Sequence, residues 1–298
     1  MESYTRTDLA FESFGDAGKR VEGAEQSMHR SGNCRIHRLR IRTADAASVL
    51  GKPIGSYVTV ECGKIHHLNR ERSELLAHIL SGELRGMTEV LTGRKPDPDF
   101  SVFVTGLGNA ELTADALGPD TVSKLTATRH LREHELPLYR EIGCSALSAF
   151  APGVLGQTGI ETLELLRGAV RSVKPDLVVA VDALAARSCK RLASTVQLSD
   201  AGIVPGSGVG NHRTAITADT LGVPVIALGV PMVVDSSTLV YDALQEAHID
   251  DISDSLREVL ENGRSFFVSP KESDVITEQV SDLLARAISM AFVGDFQL

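Results

Sequence analysis

From residue 100 onward, short apolar runs alternate with glycine-bearing loops and with segments whose apolar residues recur every three or four positions. SVFVT (101–105), LVVAV (177–181) and VPVIAL (223–228) are almost continuously apolar. Strands buried on both faces of a parallel sheet carry that pattern, because helices cover both sides. Between the runs, Ile160, Leu163, Leu166, Val170 and Val173 fall on one helical face, behind a capping-box pattern, Thr158-Gly-Ile-Glu161. A second box, Ser269-Pro-Lys-Glu272, precedes the stripe Ile276, Val280, Leu283, Leu284, Ala287, Ile288 and Ala291. Pro119 suits the first turn of a helix, where its missing N–H costs nothing. The repetition predicts an α/β protein, a three-layer α/β/α sandwich on a mostly parallel sheet.

The first hundred residues follow another rule. RIHRLRI (35–41) and SYVTV (56–60) read as strands joined through the turn GKPIG (51–55). Leu75, Leu76, Ile79, Leu80 and Met87 give residues 70–91 a helical stripe, and KPDPD (95–99) reads as a linker. Residues 1–33 are polar with little periodicity and read as an extended arm. The expected layout is an N-terminal β-rich part, 9–99, leading into an α/β core, 100–298, within a single domain.

Composition narrows the function classes. The chain has 298 residues and a net charge of −9, which disfavours nucleic acid as a direct partner. Four cysteines lie far apart, with no zinc-like spacing and no disulfide framework, so a reducing cytoplasm is expected. The first fifteen residues lack a secretion-signal profile, and no apolar run approaches the ~20 residues of a membrane helix. No membrane role is therefore expected.

In an open parallel sheet, ligands bind beyond the carboxyl ends of the strands. Asp182 follows LVVAV directly, and Asp115 sits late in the loop after SVFVT. Two carboxylates converging at that rim can share a proton, one as base towards water and the other as acid. An aspartate before a helix is equally an N-cap, and the pattern alone leaves both readings standing. Gly106-Leu-Gly108-Asn109 lacks the third glycine of a dinucleotide loop, and the 205–211 stretch PGSGVGN lacks phosphate-loop spacing. Both read as tight turns or as backbone close to a substrate. No G-x-S-x-G elbow is present. His66 and His67, if on a strand, point to opposite faces; a one-metal site joining the two aspartates to a distant histidine stays open.

These same stretches carry a resemblance. TRTDLAFE (5–12), GLGNAELTADALGP (106–119), TRHL (128–131), APGVLGQTGIET (151–162), KPDLVVAVDALAARS (174–188), SDAGIVPGSGVGN (199–211), LGVPVIALGVP (221–231) and VSPKESD (268–274) resemble the spore germination proteases of endospore-forming bacteria. The resemblance implies an atypical aspartic endopeptidase that degrades the small acid-soluble proteins coating spore DNA, working in the spore core without a cofactor. It implies a fold like that of hydrogenase maturation endopeptidases and places the essential aspartates at Asp115 and Asp182. It also implies an inactive precursor. Thr7-Asp8-Leu9-Ala10-Phe11-Glu12 looks like a copy of the family's T-E-[FI]-A-S-E cut site, which makes 1–8 a propeptide removed between Asp8 and Leu9, and 9–298 the peptidase.

An acid at the cut position calls for a cation, and Arg129 and Arg187 are the candidates for substrate binding, with a structural ion pair the competing reading of each. The resemblance further implies a homotetramer. The acidic stretch 250–262 stands where longer family members carry an insertion. The alternative activity is a metal-dependent maturation protease of the hydrogenase type.

Overall fold

The computed structural model describes residues 7–16, 21–206, 213–249, 252–262 and 266–294. Its strands are β1 (Ala24–Ser31), β2 (Cys34–Ile41), β3 (Gly55–Glu61), β4 (Ser101–Gly106), β5 (Ala146–Phe150), β6 (Leu177–Ala186), β7 (Thr195–Ser199), β8 (Val225–Asp235) and β9 (Phe267–Val268). They form one nine-stranded sheet in the order β1-β2-β3-β7-β8-β6-β4-β5, with β9 paired to β8. Strands β5, β4, β6 and β8 run parallel, as the apolar runs in β4, β6 and β8 predict, while β5 is not among those runs. From β8 outward through β7, β3, β2 and β1, every pairing is antiparallel. The β-rich part therefore extends the core sheet through β3 and β7.

The helices are α1 (Ala10–Asp16), α2 (Ala44–Leu50), α3 (Arg70–Thr92), α4 (Leu117–Ser123), α5 (Arg129–His134), α6 (Leu136–Ile142), α7 (Leu155–Thr158), α8 (Thr162–Val173), α9 (Ala218–Leu221), α10 (Ser236–Glu246), α11 (Asp254–Asn262) and α12 (Ser273–Phe292). On one face of the sheet, α3 and α12 pack with α4 over Val102, Val104, Val179, Val181, Val196 and Leu228. On the other, α8 and α9 cover Phe103, Val178, Ala180 and Val225. This is the three-layer α/β/α sandwich. Beside α8 and α9, the second face is covered by the N-terminal segment: Leu9 is fully buried among Leu184, Ala186, Leu192 and Val234.

Neither predicted capping box forms, and both helices start about one turn later than the sequence suggests. Thr158 ends α7, where Gly159 takes a positive φ of 70°, and Glu161 rather than Thr158 precedes α8. Likewise Glu272, not Ser269, precedes α12. Leu163, Leu166 and Val170 are buried as expected, but Ile160 lies outside the helix and is exposed. His66 and His67 sit on a 3₁₀ turn, not a strand, with ring centroids 4.2 Å apart.

Candidate active site

Asp182 stands inside β6, with five strand residues before it and four after it, instead of just beyond the strand. Strand β6 outruns its apolar stretch because β8 continues beside it, pairing Asp182 with Gly229 and reaching Ala186 opposite Val234. The side chain is 5% exposed and accepts the N–H of Ala183 at 2.9 Å.

Asp115 ends a 3₁₀ turn, Thr113–Asp115, ahead of α4. It does not cap α4: the residue at that position is Ala116, and the Asp115 carboxylate instead accepts the N–H of Asn109 at 2.7 Å. Three glycines let the loop fold tightly enough for this. A Cβ at Gly106 would lie 2.1 Å from the Gly118 carbonyl, and one at Gly118 would lie 2.6 Å from that of Val181. Gly108 has φ +110°, with the Asp115 carbonyl where its Cβ would be. The glycines of this loop thus serve backbone packing, as the missing third glycine of a nucleotide fingerprint suggested.

Both aspartates line one cleft of about 1190 Å³, together with Asp8, Lys52, Gln197 and Arg213. Burial holds the Asp182 carboxyl well above the usual carboxylate range, and the charges of Asp115 and Asp8 push it further. The Ala183 N–H and Arg213 oppose the rise. Burial also raises Asp115, against the Asn109 N–H and Arg213. Two carboxyls whose ionised forms are both disfavoured, one strongly, are suited to sharing a proton.

The residues at the mouth of the cleft belong to the chain's own N-terminus. The N–H of Asp8 donates to the Ala185 carbonyl at 2.9 Å, and the Asp8 carboxylate accepts the Ala185 N–H at 2.8 Å. The Thr7 carbonyl accepts from Lys52 Nζ at 2.7 Å, and the Leu9 N–H donates to Thr7 Oγ1 at 3.0 Å. Gln197 bonds the Asp8 carbonyl at 3.0 Å and the Ala10 N–H at 2.8 Å. The main chain of 7–10 is thus bonded to the cleft side of the sheet just as it turns into α1 at Ala10, and Leu9 fills a closed apolar pocket.

The sequence-derived cations separate. The backbone N–H of Arg187 donates to the Glu12 carboxylate at 2.9 Å, and attraction to Glu12 opposes the burial that lowers the guanidinium's pKa. Arg129 lies on α5, paired at 2.7 Å with Glu133, and does not line the cleft. Lys52, only part of a turn by sequence, is half-buried and faces the charges of Asp8 and Glu12, which oppose the lowering of its pKa by desolvation. Arg191, with its guanidinium 3.9 Å from Glu12 and 5.1 Å from the Phe11 ring centroid, was likewise unread. Gln197 lies on β7, a five-residue strand with a polar centre that gave no period to read. Of the glycine stretch 205–211, positions 207–211 lie outside the described residues, as do Thr5 and Arg6 of the TRTDLAFE stretch. Among the described residues, no three His, Cys, Asp or Glu side chains gather as metal ligands would, and no helix is long and apolar enough to cross a membrane.

Comparison with known proteins bears on this site. The family model described as germination protease matches residues 10–249. A germination protease of Caldanaerobacter subterraneus subsp. tengcongensis is 38% identical over 96% of this chain and 93% of its own length. One from Clostridium acetobutylicum is 37% identical over 98% and 96%. The germination protease of Bacillus subtilis is 42% identical over 80% of this chain and 66% of its own.

Proposed function

Because this chain belongs to the germination protease family, and so is a peptidase of germination, we propose that it hydrolyses peptide bonds with Asp115 and Asp182 as a proton-sharing pair. The observation that carries this reading is the near-complete burial of Asp182 in a cleft where Asp115 adds like charge. The ionised member takes a proton from water, whose oxygen adds to the peptide carbonyl carbon. The protonated member then gives its proton to the departing nitrogen as the C–N bond breaks. The pair ends with its proton on the opposite member.

The substrates are small acid-soluble spore proteins, cut in the spore core. Such chains offer main-chain groups for recognition, which suits a site that bonds the main chain of Thr7, Asp8 and Ala10. The precursor cuts itself between Asp8 and Leu9, removing residues 1–8 and leaving 9–298 as the peptidase. Supporting this, Thr7-Asp8-Leu9-Ala10-Phe11-Glu12 resembles the substrate pattern, Thr7 and Asp8 line the cleft, and the Asp8 charge reaches Asp182. Among cations near Asp8 and Glu12, Lys52 and Arg187 are better placed than Arg129. The working assembly is a homotetramer.

The test is cleavage of a T-E-F-A-S-E peptide by wild type, Asp115→Asn and Asp182→Asn, with and without a strong chelator. Loss of turnover by roughly 10²–10⁴-fold in each variant, with wild-type activity untouched by chelator, supports the pair. Activity in Asp182→Asn overturns it, and loss with chelator favours the metal-dependent alternative.

A further inference from the structure

A single side chain grips the main chain on both sides of Leu9. Gln197 donates from Nε2 to the Asp8 carbonyl at 3.0 Å and accepts the Ala10 N–H on Oε1 at 2.8 Å. It is 7% exposed, so neither bond competes freely with water. A carboxamide presents a donor and an acceptor side by side at its tip at every pH, which matches the C=O and N–H on either side of Leu9.

Its place in the sheet relates it to the aspartates. Gln197 on β7 pairs with Gly229 on β8, and Gly229 pairs with Asp182 on β6. The three form one row, so Gln197 and Asp182 stand on the same face about two strand spacings apart, ~10 Å between Cα atoms. Gly229, between them, carries no side chain. A Cβ there would lie 2.6 Å from Leu184, whose side chain contributes to the pocket for Leu9.

We propose that Gln197 is a substrate-contacting residue of the hydrolysis. Its Oε1 fixes the residue after the cut in register, and its Nε2–H holds the carbonyl oxygen of the bond being cut. The inference rests on the reading of Asp8–Leu9 as that bond. When water oxygen adds to the Asp8 carbonyl carbon and its proton passes to the ionised aspartate, negative charge gathers on the carbonyl oxygen. A buried donor already aimed there stabilises that charge more than the ground-state carbonyl. As the C–N bond breaks, the protonated aspartate supplies the Leu9 nitrogen, and water is the only co-reactant. Because Gln197 reads main chain alone, it acts on any extended segment with a side chain that fits the Leu9 pocket.

Two variants test this in the full chain, using a peptide that contains T-D-L-A-F-E. Gln197→Met keeps the length and loses both bonds. Gln197→Glu keeps the acceptor for the Ala10 N–H and, when ionised, loses the donor. Expected are a fall in kcat of roughly 10²–10³-fold for Gln197→Met, and for Gln197→Glu a KM near wild type with kcat lost at neutral pH and partly recovered as pH falls. Unchanged kcat in both variants, or a loss confined to KM, overturns the proposal. Product masses separate the two levels of the argument. Wild type cutting elsewhere than Asp-Leu removes the underlying reading and this inference with it. Wild type cutting there, with both variants indistinguishable from it, removes the role of Gln197 alone.

Discussion

Leu107 donates its backbone N–H to the carbonyl of Val181 at 2.8 Å, tying the loop that carries Asp115 to the strand that carries Asp182 one residue before the carboxylate. Gly118 packs against both: a Cβ there would lie 2.3 Å from the Leu107 carbonyl and 2.6 Å from that of Val181. The segments that carry the two acids lie close because backbone, not side chain, fills the space between them.

Replacing Gly118 by Ala should therefore separate the pair. Its Cβ would meet backbone oxygens, which cannot turn aside as a flexible side chain can. The expected cost is ~1–3 kcal/mol of stability, with peptide cleavage lost more completely than the fold. Thermal unfolding and turnover measured on one preparation check this, and full activity in Gly118→Ala would contradict it.

Asp182 is costly to bury as an anion, so its neutral isostere should stabilise the protein. The folded carboxyl keeps its proton to higher pH than the unfolded one, whose ordinary value is 3.8. The folded state thus binds more protons above that pH, and the group's stabilising contribution is lost as pH rises. Asp182→Asn, which cannot ionise, should melt above wild type at pH 8, with the gap closing towards pH 4. A melting temperature below wild type at pH 8 would count against this account.

The rate of peptide cleavage should follow a bell in pH. Activity needs one carboxyl ionised and one protonated, and both are raised, Asp182 the more strongly. The alkaline limb should accordingly lie well above the ordinary carboxylate range, and in Asp115→Asn the residual activity should lose the bell. The kcat profile from pH 4 to pH 9 decides it.

Lys52 is a half-buried cation that faces the charges of Asp8 and Glu12. Lys52→Met should lower the preference for Asp over Asn at the cut position by roughly two- to fivefold, since Lys52 donates to the Thr7 carbonyl and reaches the Asp8 carboxylate as a charge, an attraction of ~0.5–1 kcal/mol. Comparing kcat/KM for T-D-L-A-F-E and T-N-L-A-F-E peptides reads this ratio directly. Arg129→Met, whose side chain pairs with Glu133, should leave it unchanged.

Much of this was legible from the chain, for physical reasons. The runs at 101–105, 177–181 and 223–228 are apolar because helices cover both faces, and they became β4, β6 and β8. The stripe Ile276 to Ala291 is buried throughout α12. The helix-cap reading of Asp115 and Asp182 could be rejected only with coordinates, since it turns on which N–H each carboxylate meets. Non-local events were hidden. Nothing in GKPIG or TVQLS signals that Lys52 and Gln197 converge on residues 7–10, because that meeting depends on β3 and β7 joining one sheet. The resemblance at TDLAFE suggested a substrate copy; its place in the cleft is a property of the fold.

The most direct test of the central claim is the mass of the chain's own N-terminus. Wild-type protein, incubated after purification, should gain a product beginning at Leu9, while Asp115→Asn and Asp182→Asn should keep the Asp8–Leu9 bond intact. Appearance of the Leu9 product in either variant, or a wild-type cut at another bond, would contradict the account.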